Sequence, residues 1–283
     1  MEISDDLFSQ YEQTNDLDFL NEAIIETKKA FEECHPRNPC LADMLNNWSA
    51  MLIARCERQG NLRDLQKAIK HGEEALADTP RDDPHRAAIC NNLGSGFSVR
   101  FERIGDLDDL QNAMKHYEGA LAANPRDDPE RARRYINLGS MFSARFERIG
   151  DLTNLQKAIE NGEAAVATTP RDHPYGATFH NNLGVRFYTR FKRIGDLDDL
   201  QKAIMHTEEA PTATPRDHPH RADRYDNLGV YFSRRFETIG DPDGLHRATE
   251  NNEAALAAAP RDHRDRAAIC NNCQKFRVTG DHS

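Results

Sequence analysis

Residues 91–111 read NNLGSGFSVRFERIGDLDDLQ. Apolar residues recur every three or four positions up to Ile104, and Gly105 with Asp106 stops the helical pattern and restarts it. A pair of asparagines stands inside the helical stretch, where helix propensity gains nothing from them. The pattern returns at a constant step of 45 residues, as INLGSMFSARFERIGDLTNLQ from Ile136, NNLGVRFYTRFKRIGDLDDLQ from Asn181 and DNLGVYFSRRFETIGDPDGLH from Asp226. It extends back to NNWSAMLIARCERQGNLRDLQ from Asn46 and forward to NNCQ at Asn271, where the copy is cut short. Repetition at this period decides the fold before any single motif does.

Each unit divides into two helices by its own punctuation. In the second full unit, Asp83 before Pro84 signals a start, and the helix is expected to run to about Arg103. Gly105 supplies the left-handed residue that ends it, and Asp106 caps a second helix from Leu107 to about Ala123. Cys90, Leu93, Phe97, Phe101 and Ile104 form one apolar stripe, and Leu110, Ala113, Met114, Tyr117, Ala120 and Leu121 form the other. Alanine recurs at 23, 68, 113, 158, 203 and 248 and again at 30, 75, 120, 165, 210 and 255, which predicts close helix contact. One hairpin cannot bury both stripes, so neighbouring hairpins must stack.

Leu93, Gly94 and Phe97, followed by Ala113, Tyr117, Ala120 and Pro125, resemble the signature of tetratricopeptide repeats. The resemblance covers nearly the whole chain, although the unit is longer than the usual roughly 34 residues. The second-helix aromatic is replaced by Thr27, Gly72, Gly162, Thr207 and Asn252. The long unit with its Asn pair is similar to repeats of the kinesin light chain type and to fungal arrays that precede a caspase-like CHAT domain. The resemblance implies an all-α fold, an alpha-alpha superhelix or solenoid of stacked antiparallel hairpins. As one solenoid over 1–283, the chain divides into a partial repeat at 1–35, full helix pairs at 39–79, 84–124, 129–169, 174–214 and 219–259, and a truncated repeat at 264–283. Leu7, Tyr11 and Glu12 fall in the columns of Phe97, Phe101 and Glu102, so the chain is expected to be an excerpt or shortened relative of a longer array, or else to carry partial helices as caps.

The formal net charge of −10 argues against a nucleic-acid partner. The acidic start MEISDDLFSQ and the lack of a long apolar run argue against membrane insertion, so the expected location is cytoplasmic. An Asn-x-Ser match at Asn47 falls inside a predicted helix and is read as chance. No phosphate loop, dinucleotide glycine pattern or nucleophile elbow is present, and no enzymatic role, cofactor or metal site is expected. Cys270 and Cys273 stand in the columns of Cys90 and Leu93, where core packing explains them better than zinc. His173, His218 and His263 alternate with Asp83 and Asp128 in one loop column, which favours loop-capping roles. Arg55, Arg100, Arg145, Arg190 and Arg235 recur near first-helix ends, with the Glu column at 73, 118, 163, 208 and 253 as expected partners. Pro211 is expected to stop its helix a turn early, and Pro242 with Gly244 to loosen the next, so that residues 200–283 unfold first.

Asn47, Asn92, Asn137, Asn182, Asn227 and Asn272 fill one column without exception. At 100° per residue Asn92 points away from the apolar stripe, beside Ala88, Ser95 and Val99. Equivalent positions are mostly small, including Ser140, Val185 and Thr189, with Asp43, Arg133, Asp223 and Arg234 as charged exceptions. Two readings stand side by side. The carboxamides hydrogen-bond a protein or peptide ligand in a groove, with Ser95, Ser140, Arg133 and Arg234 alongside, or each bonds the adjacent repeat. The function expected is a protein–protein interaction scaffold; the alternative is a regulatory or sensing array of a larger effector, self-associating through its ends.

Overall fold

The computed structural model describes residues 2–35, 38–123, 128–170, 173–212, 220–260, 266, 269 and 270. Twelve α-helices and no strand occur among them. In chain order these are α1 (Glu2–Thr14), α2 (Leu17–Glu33), α3 (Leu41–Gln59), α4 (Leu62–Asp78), α5 (Arg86–Ile104) and α6 (Leu107–Ala123), then α7 (Arg131–Ile149), α8 (Leu152–Thr168), α9 (Gly176–Ile194), α10 (Leu197–Thr212), α11 (Arg221–Ile239) and α12 (Pro242–Ala258). The fold is an all-α helical repeat. Its contacts group into two compact units, residues 1–145 and 146–283, with the division inside α7.

The intra-repeat turn is the most regular local feature. Gly60, Gly105, Gly150, Gly195 and Gly240 adopt φ between 68° and 82°, the left-handed conformation that a side chain disfavours. Asn15 holds the same column at φ 58° and is followed by Asp16, whose carboxylate accepts from the Asp18 amide. The N-terminal segment therefore does continue the pattern of a first helix. Asp106 caps α6 as expected, its Oδ1 accepting from the Asp108 amide at 2.9 Å.

The start of the first helix lies later than expected. Asp83 and Pro84 sit in a turn, Asp83 Oδ1 accepts from the His85 amide at 2.8 Å, and α5 begins at Arg86. The same turn recurs with Asp128 accepting from the Glu130 amide and His173 Nδ1 from the Tyr175 amide, so His173 is a loop cap; His218 and His263 lie outside the described residues. Pro211 does not end α10 a turn early, since the helix runs to Thr212. Pro242 is the first residue of α12, where its missing N–H was never needed, so it does not loosen that helix.

Within the unit of residues 1–145, Ala23, Ala68 and Ala113 are fully buried between paired helices, and in residues 146–283 Ala158, Ala203 and Ala248 are too. A second close approach sits one turn away. A Cβ on Gly94 would stand 2.7 Å from the Tyr117 ring, and one on Gly72 2.8 Å from Leu93 of the following hairpin. Where the second helix carries the large Tyr117, its own first helix carries glycine; where it carries Gly72, the next hairpin leans in. Ile104 departs from the expected buried stripe, and is 58% exposed because the chain reverses at Gly105 immediately after it. Ser49 is fully buried and donates to the Ala68 carbonyl at 2.8 Å, which removes Asn47–Ser49 from consideration as a glycosylation acceptor.

Candidate functional site

Both asparagines of the opening stretch are used, and they are used together. Asn92 Nδ2 donates to Oδ1 of Asn46 in the preceding repeat at 2.9 Å, and Asn137 Nδ2 donates to Asn91 Oδ1 at 3.2 Å. In the other unit Asn227 Nδ2 donates to Asn181 Oδ1, again at 3.2 Å. The first rung is varied: Asn47 donates to the Asp5 carboxylate at 3.1 Å. One column supplies the donor and its sequence neighbour supplies the acceptor for the next repeat, so a paired motif in sequence becomes a ladder along the stack. The acceptor column is broken at Ile136, which has no polar side chain. Asn272 lies outside the described residues, as does Cys273.

The ladder asparagines are half-buried, except Asn91, which is buried. One N–H of Asn92 is committed to Asn46, and its carbonyl oxygen and second N–H remain as hydrogen-bonding capacity on the same amide. The neighbours named from sequence have their own partners. Ser95 Oγ lies 3.2 Å from Tyr117 Oη, and Ser140 Oγ donates to the Ile136 carbonyl at 2.9 Å. All four charged exceptions have polar partners: Arg133 forms an ion pair with Glu130 at 2.7 Å and Arg234 with Glu237 at 2.9 Å, while Asp43 lies 3.1 Å from His85 Nδ1 and Asp223 3.2 Å from His220 Nδ1.

The arginine column does not take the glutamates as its principal partners. Arg55, Arg100 and Arg190 each clamp an aspartate nine residues on, across the hairpin turn, with Nε to Oδ2 at 2.8 Å and Nη2 to Oδ1 in every case. Asp64, Asp109 and Asp199 are buried, which makes these bidentate pairs structural elements of the hairpin. The hydrogen bond to the carboxylate raises the pKa of Arg100 and Arg190 above the usual guanidinium value. A further guanidinium nitrogen reaches back one repeat, from Arg55 to Asn21 at 3.2 Å, from Arg145 to Gln111 at 3.3 Å and from Arg190 to Gln156.

Sequence reasoning missed another arginine. Arg186 is buried and donates to the Ala158 carbonyl at 3.0 Å, and burial pulls its pKa down to about 10. Its guanidinium occupies space opened by Gly162, whose added Cβ would stand 2.9 Å from Nη1. The signal in the sequence was the pairing of an arginine in an otherwise apolar column with a glycine in the aromatic column. Among the described residues no group of three or more His, Cys, Asp or Glu side chains could hold a metal ion, and no helix is long and apolar enough to cross a membrane.

No protein-family model and no curated protein matches the sequence. Solved structures do match the fold. The kinesin light chain-like TPR repeats of Podosopora anserina superpose with a TM-score of 0.58 over 78% of this chain and 97% of theirs, at 16% identity. YrrB, described as a TPR protein with an unusual peptide-binding site, gives 0.55 over 88% of this chain and 97% of its own, at 17% identity. A TPR protein of Thermus thermophilus gives 0.51 over 81% and 99%, at 18% identity. Glycine-punctuated hairpins, buried alanine columns and these superpositions together give the chain the tetratricopeptide-repeat fold, built here on a 45-residue unit.

Proposed function

We propose that the chain is a protein-interaction scaffold and that the Asn-bearing face of its first helices holds an extended peptide. The observation that supports this most directly is the arithmetic of the ladder. Each rung uses one N–H of a half-buried carboxamide, and what is left over is the donor and acceptor pair that a peptide backbone needs. Small side chains that follow the column asparagine on α9, Val185 and Thr189 after Asn182, leave room for a main chain. The likeness to YrrB fits this reading, since that protein is described as having a peptide-binding site.

The test avoids the ladder, because removing its asparagines would disturb repeat packing. Peptides selected from a displayed library against the whole chain should lose about tenfold or more in affinity to Val185→Glu, which is 39% exposed and faces the same way. Thermal stability should be unchanged. Selected peptides that bind wild type and Val185→Glu equally would overturn the groove reading.

A further inference from the structure

Helices α5, α7 and α11 open with Arg86, Arg131 and Arg221, and Arg266 stands in the same column, which Leu41 and Gly176 hold in the other repeats. The arginine has one recurring task. Arg86 Nη1 donates to the Leu76 carbonyl at 3.3 Å and the Thr79 carbonyl at 2.6 Å, so it caps the C-terminal end of the preceding helix. Arg131 does the same to Leu121 at 3.3 Å, and Arg266 to Leu256 at 3.4 Å and to Ala259. Arg131 and Arg221 also donate Nη2 to the hydroxyls of Tyr135 and Tyr225 and lie 5.3 Å over those rings. These groups make up the arginine's socket: two helix-end carbonyls for Arg86 and Arg266, whose neighbours in the tyrosine column are Cys90 and Cys270, and a helix-end carbonyl with a tyrosine for Arg131.

At Gly176 the column has no arginine. The equivalent carbonyls belong to Val166, which already accepts one hydrogen bond from the Thr169 amide at 3.2 Å, and to Thr169, and the column of Tyr135 and Tyr225 holds His180. A Cβ built on Gly176 meets nothing nearer than Thr169 Cγ2 at 3.9 Å, and a cleft of about 580 Å³ opens there. Val166, Thr169, Phe179, His180 and Glu209 line it. Glu209 supplies a carboxylate, as Glu74 does in the hairpin that Arg86 caps, where the same column elsewhere holds Lys29, Gly119, Ala164 and Ala254. His180 is held by its Nδ1 contact of 3.3 Å to His206, whose pKa burial and then the nearby His180 lower to about 4. Tyr175 at the rim is 60% exposed and stacks with Phe179.

We propose that this cleft is a receptor for the guanidinium group of an arginine side chain presented by a partner protein. The cleft offers a partner the acceptors that the chain offers to its own arginines elsewhere. The helix C-terminal dipole and Glu209 both favour a cation, and the planar guanidinium donates to more than one carbonyl at once. Lysine, a point charge, matches the socket less well. The site stands apart from the groove reading, because it lies between the end of α8 and the start of α9 and involves no ladder residue.

The test is a titration of the whole chain with N-acetyl-arginine amide, followed by NMR of the Gly176 amide and the His180 ring. The expected result is saturation with a dissociation constant on the order of 1 mM, about fivefold weaker binding to Glu209→Gln, and none to Gly176→Arg, which fills the socket from within. N-acetyl-citrulline amide, the neutral isostere, should leave both signals unmoved, and free arginine should shift them as the capped probe does. Equal shifts from the citrulline probe, no saturable shift from the arginine probe, or unchanged binding by Glu209→Gln would each overturn the proposal. Because Glu209→Gln and the isostere decide it alone, the conclusion survives even if Gly176→Arg folds poorly.

Discussion

Hairpins α5–α6 and α11–α12 are copies of one unit, yet they are clamped by different chemistry. In α5–α6 Arg100 grips the buried Asp109 with two nitrogens, and Tyr117 lies over Gly94. In α11–α12 the clamp position is Gly244, Arg235 turns instead to Asp241 at 2.9 Å, and Asn252 packs over Gly229. What the two share is the fully buried alanine, Ala113 in one and Ala248 in the other, and the asparagine rung to the preceding repeat. The alanine contact and the asparagine rung are common to both hairpins, while the arginine clamp is an addition whose aspartate is replaced by Gly244 here and by Asn154 in α8.

The largest effect is expected from breaking the clamp where it exists. Asp109→Ala leaves Arg100, whose side chain is only 28% exposed, without its carboxylate, and should cost about 3 kcal/mol, read as faster hydrogen exchange across α5 and α6. Adding the clamp where it is missing should fail. A Cβ on Gly244 would meet the Phe232 carbonyl at 3.1 Å and the Phe236 amide nitrogen at 3.2 Å, so Gly244→Asp should not slow exchange in α11 and α12.

A second contrast concerns the aromatic column. Tyr117 is buried, and burial pushes its pKa up to about 12, with Ser95 opposing the shift. The folded state thus holds the phenol proton more tightly than the unfolded chain, whose tyrosine titrates near 10. Its contribution is complete below pH 10 and is lost as pH rises towards 12, by about 2 to 3 kcal/mol in all. Tyr117→Phe removes that loss. The stability difference between wild type and Tyr117→Phe should therefore shift in favour of the variant between pH 9 and pH 11, measured by denaturant melts; a difference independent of pH would show that the phenol is not buried as described.

Much of this architecture is legible in the sequence because it is local. Gly105 and Asp106 announce a turn whose chemistry acts within a few residues, and Ala113 repeats in register with itself. The clamp is harder to see, since Arg100 and Asp109 are nine residues apart on different helices, and rules for neighbours three or four apart on one helix pass over them. Asp83 and Pro84 read as a helix start, but they form a turn that precedes the helix, because the Asp83 carboxylate takes the His85 amide and the helix begins only at Arg86. The asparagine column leaves groove binding and bonding to the adjacent repeat both open in the sequence, because a single repeat cannot reveal that its Asn92 is the donor for another repeat's Asn46. The opening at Gly176 was visible as one glycine in an arginine column, and gained meaning only once Arg86 and Arg131 were seen capping carbonyls.

The central claim is that the asparagine pair ties successive repeats, in both hairpins alike. A double-mutant cycle on Asn46→Ala and Asn92→Ala, and another on Asn181→Ala and Asn227→Ala, measures it directly, because the helix propensity gained by each alanine cancels in the coupling term. The account predicts a favourable coupling of about 0.5 to 1.5 kcal/mol in each cycle, the size of one hydrogen bond between partly buried amides. Additive effects in both cycles, with no coupling beyond error, would contradict it.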